Sequence, residues 1–170
     1  MNSAFRTPGL PACLLLMLIA WPHALALAAN LPDDLPESEL AILSADGQRH
    51  DFTVLLATKP AELARGLMFV TEMDEQQGML FDFGETRPVS MWMRNTALPL
   101  DMLFIRADGT ISEIAAQTVP YTRTSIVSKD PVRFVLEVLG GTSKRLGIAA
   151  GDRVQHSSIS SVDVAAEDTR

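Results

Sequence analysis

Two acidic residues, Asp101 and Glu137, each fall in a stretch where alternate positions are apolar. Side chains of a strand point alternately to its two faces, so Asp101 is predicted to share a face with Leu103. Glu137 is predicted in the same way to share a face with Val135. Two carboxylates with different pKa values in one cleft could perform acid–base chemistry or glycoside hydrolysis. A hydrolase that uses Asp101 and Glu137 as catalytic residues is therefore one hypothesis.

Carboxylates on apolar faces also have a structural interpretation. An unpaired buried charge is costly, and buried acids are usually paired or hydrogen-bonded. Arg65, Arg94 and Arg133 are the candidate cations, and backbone N–H groups are the other candidate partners. The sequence leaves both interpretations open, because it does not place the two acids near each other.

The stretch RPVSMWMRNTALPLD, residues 87–101, could line a ligand site. One exposed aromatic face with amide, hydroxyl and carboxylate groups suits a sugar or another polar small molecule. The predicted ligand-binding residues are Arg65, Trp92, Asn95, Thr96 and Asp101. The structural alternative is that Asn95 and Thr96 hydrogen-bond the backbone of a turn.

Six methionines lie between Met68 and Met102. Thioethers are soft ligands that select Cu(I), and Met91 and Met93 on one strand face would suit that ion. The same region could instead expose an apolar patch to a protein partner, or its methionines could simply fill gaps in the core. No glycine-rich phosphate loop and no zinc or calcium spacing appears, so we predict no cofactor and no other metal.

The first 28 residues resemble a secretory signal, with one cation, an apolar run and small residues at Ala26-Leu27-Ala28. We expect cleavage after Ala28 and a periplasmic or secreted product. An uncleaved membrane anchor is the alternative, but the run is short and is broken at Pro22. The net charge of −7 argues against nucleic acid and against an anionic membrane surface, since both require clustered cations. We expect a monomer.

The remaining chain divides into an acidic linker over 29–38, one domain over 39–156 and a polar tail over 157–170. Strands are predicted on both sides of Asp46-Gly47 and of Asp108-Gly109, two strong hairpin signals. Further strands are expected at 79–83, 89–94, 133–139 and near Val154, with short helices near 58–69, capped by Thr58, and at 142–146. This pattern predicts a mainly β, α+β domain with a small curled or barrel-like, antiparallel-rich sheet.

Five blocks occur in a fixed order along this domain: Arg-Gly-Leu-Met at 65–68, Gly-Met-Leu-Phe at 78–81, Trp-Met-Arg-Asn-Thr with Pro-Leu-Asp at 92–101, Leu-Glu at 136–137 and Gly-Asp-Arg-Val at 151–154. The chain thereby resembles the domain-of-unknown-function 192 (DUF192) family. The resemblance implies a small, mainly β domain, often secreted or lipid-anchored, and implies no particular chemistry. Met91 is a departure, because relatives usually carry an aromatic residue there.

The function that these observations favour is an exported binding or accessory module for a polar small molecule or sugar, rather than an enzyme. The alternatives are the hydrolase and the protein-interaction or Cu(I)-binding domain.

Overall fold

The computed structural model describes residues 31–159, so the predicted signal, Cys13 and most of the C-terminal tail lie outside the described residues. Nine strands and two short helices follow one another in this part of the chain: β1 Glu37–Leu43, β2 Arg49–Ala57, α1 Pro60–Arg65, β3 Gln77–Arg87, β4 Ser90–Met91, β5 Leu100–Ile105, β6 Ile111–Ala115, β7 Ile126–Val127, β8 Val132–Leu139, α2 Thr142–Leu146 and β9 Arg153–Gln155. Within 31–159 no helix has the length and apolar composition that crossing a bilayer requires.

Seven strands form one sheet in the order β6-β5-β8-β3-β2-β1-β9, and β4 pairs separately with β7. Every neighbouring pair is antiparallel except β2–β3, which is parallel. Asp46-Gly47 and Asp108-Gly109 each lie in a turn between paired strands, as their turn propensity predicts. The predicted mainly β, α+β fold with an antiparallel-rich curled sheet and two short helices is confirmed.

The sheet curls until its two edge strands approach each other. Thr110, just before β6, forms a β-bridge with Arg153 of β9, and the Ile111 N–H donates to the Asp152 carbonyl at 2.9 Å. One face of the sheet buries an inner core that includes Leu103, Leu136 and Val138. The other face buries an outer core that includes Met79, Met102 and Val135. Helix α1 lies beside this outer core: its Leu63 packs against the core, and Leu67, two residues after the helix, is buried in it.

Three element boundaries differ from the sequence prediction. The strand predicted at 89–94 is regular only over Ser90–Met91, because the chain turns at Asn95, where φ is +59°. The predicted Thr58 cap is wrong: Lys59 is the N-cap of α1, and the Glu62 carboxylate accepts the Lys59 N–H at 2.9 Å. Strand β1 begins at Glu37, inside the segment predicted as a linker, and Leu35 packs against the outer core.

Asp101 is fully buried, and its carboxylate joins three distant parts of the chain. Oδ1 accepts the backbone N–H groups of Gln117 at 2.8 Å and Gly141 at 2.9 Å. Oδ2 accepts the Ser143 N–H at 2.9 Å and the Ser143 hydroxyl. Burial alone would raise the pKa of this carboxyl, but the hydrogen bonds from Ser143, Gly141 and Gln117 together lower it. Three backbone N–H groups and the Ser143 hydroxyl, rather than an arginine, are therefore the partners of Asp101.

We expect Asp101→Asn to destabilise the domain by roughly 2–4 kcal/mol at neutral pH, because an amide NH₂ would face N–H donors that lose their acceptor. Such a loss lowers the melting temperature by about 10 °C for a domain of this size. The difference from wild type should shrink as the pH falls below the ordinary carboxyl pKa of 3.8, where the native carboxylate loses its advantage.

Thermal unfolding followed by circular dichroism checks this prediction. Asp51→Asn is the matched control, because Asp51 is exposed and its ion pair with Arg49 should contribute little. Equal melting temperatures for wild type and Asp101→Asn at neutral pH would contradict the architectural role.

Candidate functional site

A cavity of about 360 Å³ opens on the outer-core side of the sheet. Its walls come from helix α1 and the residues after it, from β3, from the β4 region and from one residue of β8. The lining is mostly apolar, with two arginines and one carboxyl group: Pro60, Leu63, Ala64, Arg65, Gly66, Leu67, Met68, Phe81, Phe83, Arg87, Ser90, Met91, Trp92, Thr96 and Glu137. This volume lies within the range of small-molecule sites.

Glu137 is the only carboxyl group among these lining residues. It stands on β8 directly between Met79 of β3 and Met102 of β5, and its side chain is only 4% exposed. Within residues 31–159, its carboxyl makes no hydrogen bond and no ion pair. Burial raises its pKa to about 8, so the acid is mostly protonated at neutral pH.

Gly66 keeps the space above Glu137 open. Its φ of +50° belongs to the region that glycine adopts without strain, and it ends helix α1. A Cβ at this position would lie 3.1 Å from the Phe81 ring and 3.9 Å from Glu137 Oε2. The glycine therefore both turns the chain and leaves the carboxyl facing an unfilled volume.

Arginines and an aromatic ring surround the polar part of the cavity. Arg65 Nη1 lies 3.5 Å from an Asp34 carboxylate oxygen, and both side chains are exposed. The Arg87 guanidinium lies over the Phe83 ring at 5.0 Å. Trp92 is 44% exposed while lining the cavity. The cations stay solvated, which is the state in which they can still bind an anionic group of a ligand.

The structure brings together some of the residues predicted from the sequence and separates others. Arg65, Trp92 and Thr96 of the predicted ligand site line the cavity, and Glu137 joins them. Asn95 does not line it; its carbonyl accepts the Phe69 N–H at 2.9 Å, and its amide nitrogen lies 3.8 Å from Met68 Sδ. Asn95 thus supports a cavity wall from behind. Asp101 is absent from the lining because its carboxylate is occupied by backbone donors.

The predicted carboxylate pair is wrong. In the β5–β8 register, Asp101 stands opposite Val138 and Met102 opposite Glu137. Residues opposite each other point to the same face, so Asp101 and Glu137 point to opposite faces of the sheet. They cannot converge on one scissile bond as a glycosidase requires.

The arginines that were predicted as candidate partners of Asp101 and Glu137 make other contacts. Arg133 makes two 3.0 Å contacts to the Asp82 carboxylate. Arg94 lies over the Trp92 ring at 5.9 Å. Neither they nor Arg65 form a salt bridge with Glu137 in the described part of the chain.

The methionines are core residues rather than an exposed surface. All six have exposures of 9% or less. Met93 is fully buried, and its sulfur accepts the Thr118 hydroxyl at 3.1 Å, while Met91 reaches the cavity. The proposed Met91–Met93 copper site would need both sulfurs at one opening, and of these two methionines only Met91 lines the cavity. Among residues 31–159 no cluster of three His, Cys, Asp or Glu side chains is placed to hold a metal.

One serine–histidine contact lies outside the cavity. Ser38 Oγ is 2.8 Å from His156 Nε2, and His156 Nδ1 accepts the Ser158 N–H at 3.1 Å. In the neutral ring the proton must then reside on Nε2, which donates to the serine. This histidine cannot take the serine proton, so the pair is structural.

No local sequence pattern predicted the aromatic walls Phe81 and Phe83, the rim residue Arg87 or the open position at Gly66. The Arg-Gly-Leu-Met and Gly-Met-Leu-Phe blocks contain two of these residues, so the family resemblance was the only signal available. Nothing in the local sequence indicates that Phe83 and Arg87 meet the turn after α1.

Solved structures of two bacterial proteins are similar to this one. A protein of Sinorhizobium meliloti 1021, provisionally described as a transcription regulator, is 49% identical with a TM-score of 0.72, over 73% of this chain and 96% of its own. A protein of unknown function from Novosphingobium aromaticivorans DSM 12444 is 39% identical with a TM-score of 0.71, over 75% of this chain and 91% of its own.

Among curated proteins the comparison finds no match. The family model of DUF192, described as "Uncharacterized ACR", matches residues 41–156, which is more than half of the chain. The chain therefore belongs to the DUF192 family.

Proposed function

We propose that this domain is an exported binding module that holds a small polar ring compound in the cavity above Glu137. The observation that carries the proposal is the Glu137 carboxyl, which is buried, has no partner within residues 31–159 and faces an open volume. A buried polar group without a partner costs stability. A ligand oxygen that accepted its proton would supply the missing hydrogen bond.

The lining indicates the chemistry of this ligand. Apolar and aromatic walls favour a flat ring or the apolar face of a sugar, and Trp92 offers an exposed face for stacking. The protonated Glu137 favours a carbonyl or hydroxyl oxygen at the deep end. Arg65 and Arg87 at the rim favour an anionic substituent, since guanidinium groups bind carboxylates and phosphates in a fork.

Binding is favoured over catalysis because Glu137 is the one acid in the lining and no general base stands there to activate the Ser90 or Thr96 hydroxyl. The lining contains no histidine, cysteine or lysine that could serve as base or nucleophile. The Thr96 hydroxyl already has a partner within the protein, because it donates to the Arg94 carbonyl at 3.4 Å. Asp101, the other acid of the hydrolase hypothesis, faces the opposite side of the sheet.

Ligand-detected NMR with glucose, N-acetylglucosamine and small cyclic ketones tests the binding proposal. We expect saturation transfer to at least one of these probes from the wild-type protein. Glu137→Leu should weaken that probe's affinity about tenfold, because one hydrogen bond from a buried donor is lost. Trp92→Ala should weaken it by a similar factor through lost stacking.

Glu39→Leu and Val119→Ala serve as controls, because both residues are exposed and neither lines the cavity. They should leave the affinity unchanged. Equal saturation transfer with wild type, Glu137→Leu and Trp92→Ala would contradict binding in this cavity.

The raised pKa of Glu137 predicts a specific dependence of stability on pH. Between the ordinary pKa of 4.5 and about 8, the unfolded chain ionises this carboxyl while the folded protein keeps it protonated. The folded state then binds more protons, so its stability falls as the pH rises through this window. Glu137→Gln removes this dependence, and its stability should exceed that of wild type by roughly 3–5 kcal/mol at about pH 8.

Melting temperatures of wild type and Glu137→Gln at several pH values from 5 to 9 measure the effect. The difference should be small at the acidic end, grow toward pH 8 and then level off. Parallel curves for the two proteins would show that Glu137 ionises normally in the folded state.

Export predicts a defined N-terminus. Mass spectrometry of the protein recovered from the periplasm of an expressing bacterium should find a chain that begins at Ala29. A chain that keeps residues 1–28 and sediments with membranes would instead support the uncleaved anchor.

A further inference from the structure

Five large apolar side chains are exposed in the part of the chain that the structure describes, and all five lie in three neighbouring segments. We name them the aromatic face: Phe69, Trp92, Val119, Tyr121 and Val127, with exposures between 44% and 67%. Core formation does not explain them, because their apolar surface remains in water. Exposed apolar groups gathered in one region mark an interaction surface.

Backbone hydrogen bonds hold the three segments side by side. The Phe69 N–H donates to the Asn95 carbonyl at 2.9 Å, and the Tyr121 N–H donates to the Thr96 carbonyl at 3.1 Å. Strand β4 pairs with β7, so that Ser90 stands opposite Val127. Trp92 lies two residues beyond Ser90, and burial alternates along this stretch, which places Trp92 on the same exposed side as Val127.

The charges around the aromatic face differ between its segments: Glu72, Asp74 and Glu75 follow Phe69, whereas the segments that carry Trp92 and Tyr121 contain only cations. Residues 87–100 and 114–129 contain no aspartate or glutamate, although the whole chain has a net charge of −7. Arg94 lies over the Trp92 ring, and Arg123 stands two residues after Tyr121. Neither arginine forms a salt bridge to a carboxylate within residues 31–159. Cations without a carboxylate partner among residues 31–159 therefore stand beside two of the exposed rings, Trp92 and Tyr121.

Backbone strain is concentrated in the same place. Phe69 and Tyr121 have φ values of +67° and +60°, in the left-handed region that aromatic residues rarely adopt. Both side chains are 65% exposed, so little buried contact offsets the strain. Two residues with a strained backbone therefore carry rings that remain largely exposed.

We propose that the aromatic face docks this protein on an anionic phospholipid bilayer. Aromatic rings with one polar end prefer the headgroup region of a membrane, and arginines nearby bind lipid phosphates. This departs from the expectation that an acidic chain avoids membranes, because it is local clustering of cations that anionic surfaces require. Since Trp92 also lines the cavity, docking places the cavity beside the bilayer.

The test uses residues 29–170, because the matching domain makes up 96% of the solved Sinorhizobium relative and so forms nearly its entire chain. In this segment Trp92 is the only tryptophan and reports on its own surroundings. We expect co-sedimentation and a blue shift of tryptophan emission with phosphatidylcholine–phosphatidylglycerol vesicles. Vesicles of phosphatidylcholine alone should bind much more weakly, and added salt should weaken binding to the anionic ones.

Arg94→Glu/Arg123→Glu should weaken binding to the anionic vesicles about tenfold or more. Arg49→Glu/Arg153→Glu is the matched control, because it makes the same charge change on strands β2 and β9. That control should bind within about twofold of wild type, since its charges lie outside the docking surface. An equal loss in both double variants would overturn the proposal, because it would reflect net charge alone.

Phe69→Gly/Tyr121→Gly separates docking from folding. Glycine accepts a positive φ, so the melting temperature should stay the same or rise. Vesicle binding should nevertheless fall about tenfold, because two interfacial rings are removed. A folded wild-type protein that ignored anionic vesicles, or that bound duplex DNA or a second copy of itself in their place, would overturn the proposal.

Discussion

The register between β5 and β8 is the constraint that decides where the two buried acids of this protein lie. Asp101 stands opposite Val138, and Met102 stands opposite Glu137. Because a strand reverses its face at every residue, this single offset sends the two carboxylates to opposite sides of the sheet. Asp101 enters the region where the Gly141–Ser143 backbone and the Gln117 N–H converge. Glu137 enters the outer core beneath a cavity.

The two acids consequently have opposite energetic roles. Hydrogen-bond donors surround Asp101 and lower its pKa. The ionised carboxylate thereby connects the start of β5 to the start of α2 through hydrogen bonds. Glu137 has no hydrogen-bond or ion-pair partner within residues 31–159, so burial raises its pKa and its ionisation opposes folding. A fold that keeps such a buried carboxyl loses stability by doing so. The same side of the molecule also contains the strained backbone at Phe69 and Tyr121. Unfavourable features gathered in one region are a common property of functional sites.

The cavity owes its existence to the one parallel pair in the sheet. Strands β2 and β3 run in the same direction, and a parallel pair needs a long crossover connection. That connection contains α1 and the turn at Gly66, and it passes over the outer core. A short hairpin connection would not pass over it. Arg65, Gly66 and Met68 become one wall, and Phe81 and Phe83 of β3 become the wall facing them. An all-antiparallel arrangement of the same strands would not require this crossing.

The sequence by itself determined what depends on near neighbours in the chain. Asp46-Gly47 and Asp108-Gly109 predicted their turns because backbone propensity is local, and alternation predicted that Met91 and Met93 share one strand face. Alternation also placed Asp101 and Glu137 on apolar faces. Only the tertiary structure decided what each of them meets there. The donors to Asp101 are 16 to 42 residues away, and the cavity over Glu137 is built from segments that begin at Pro60. Strand register and the path of the crossover connection determine which groups a buried side chain meets. Both are properties of the assembled sheet, so no local sequence pattern predicts them.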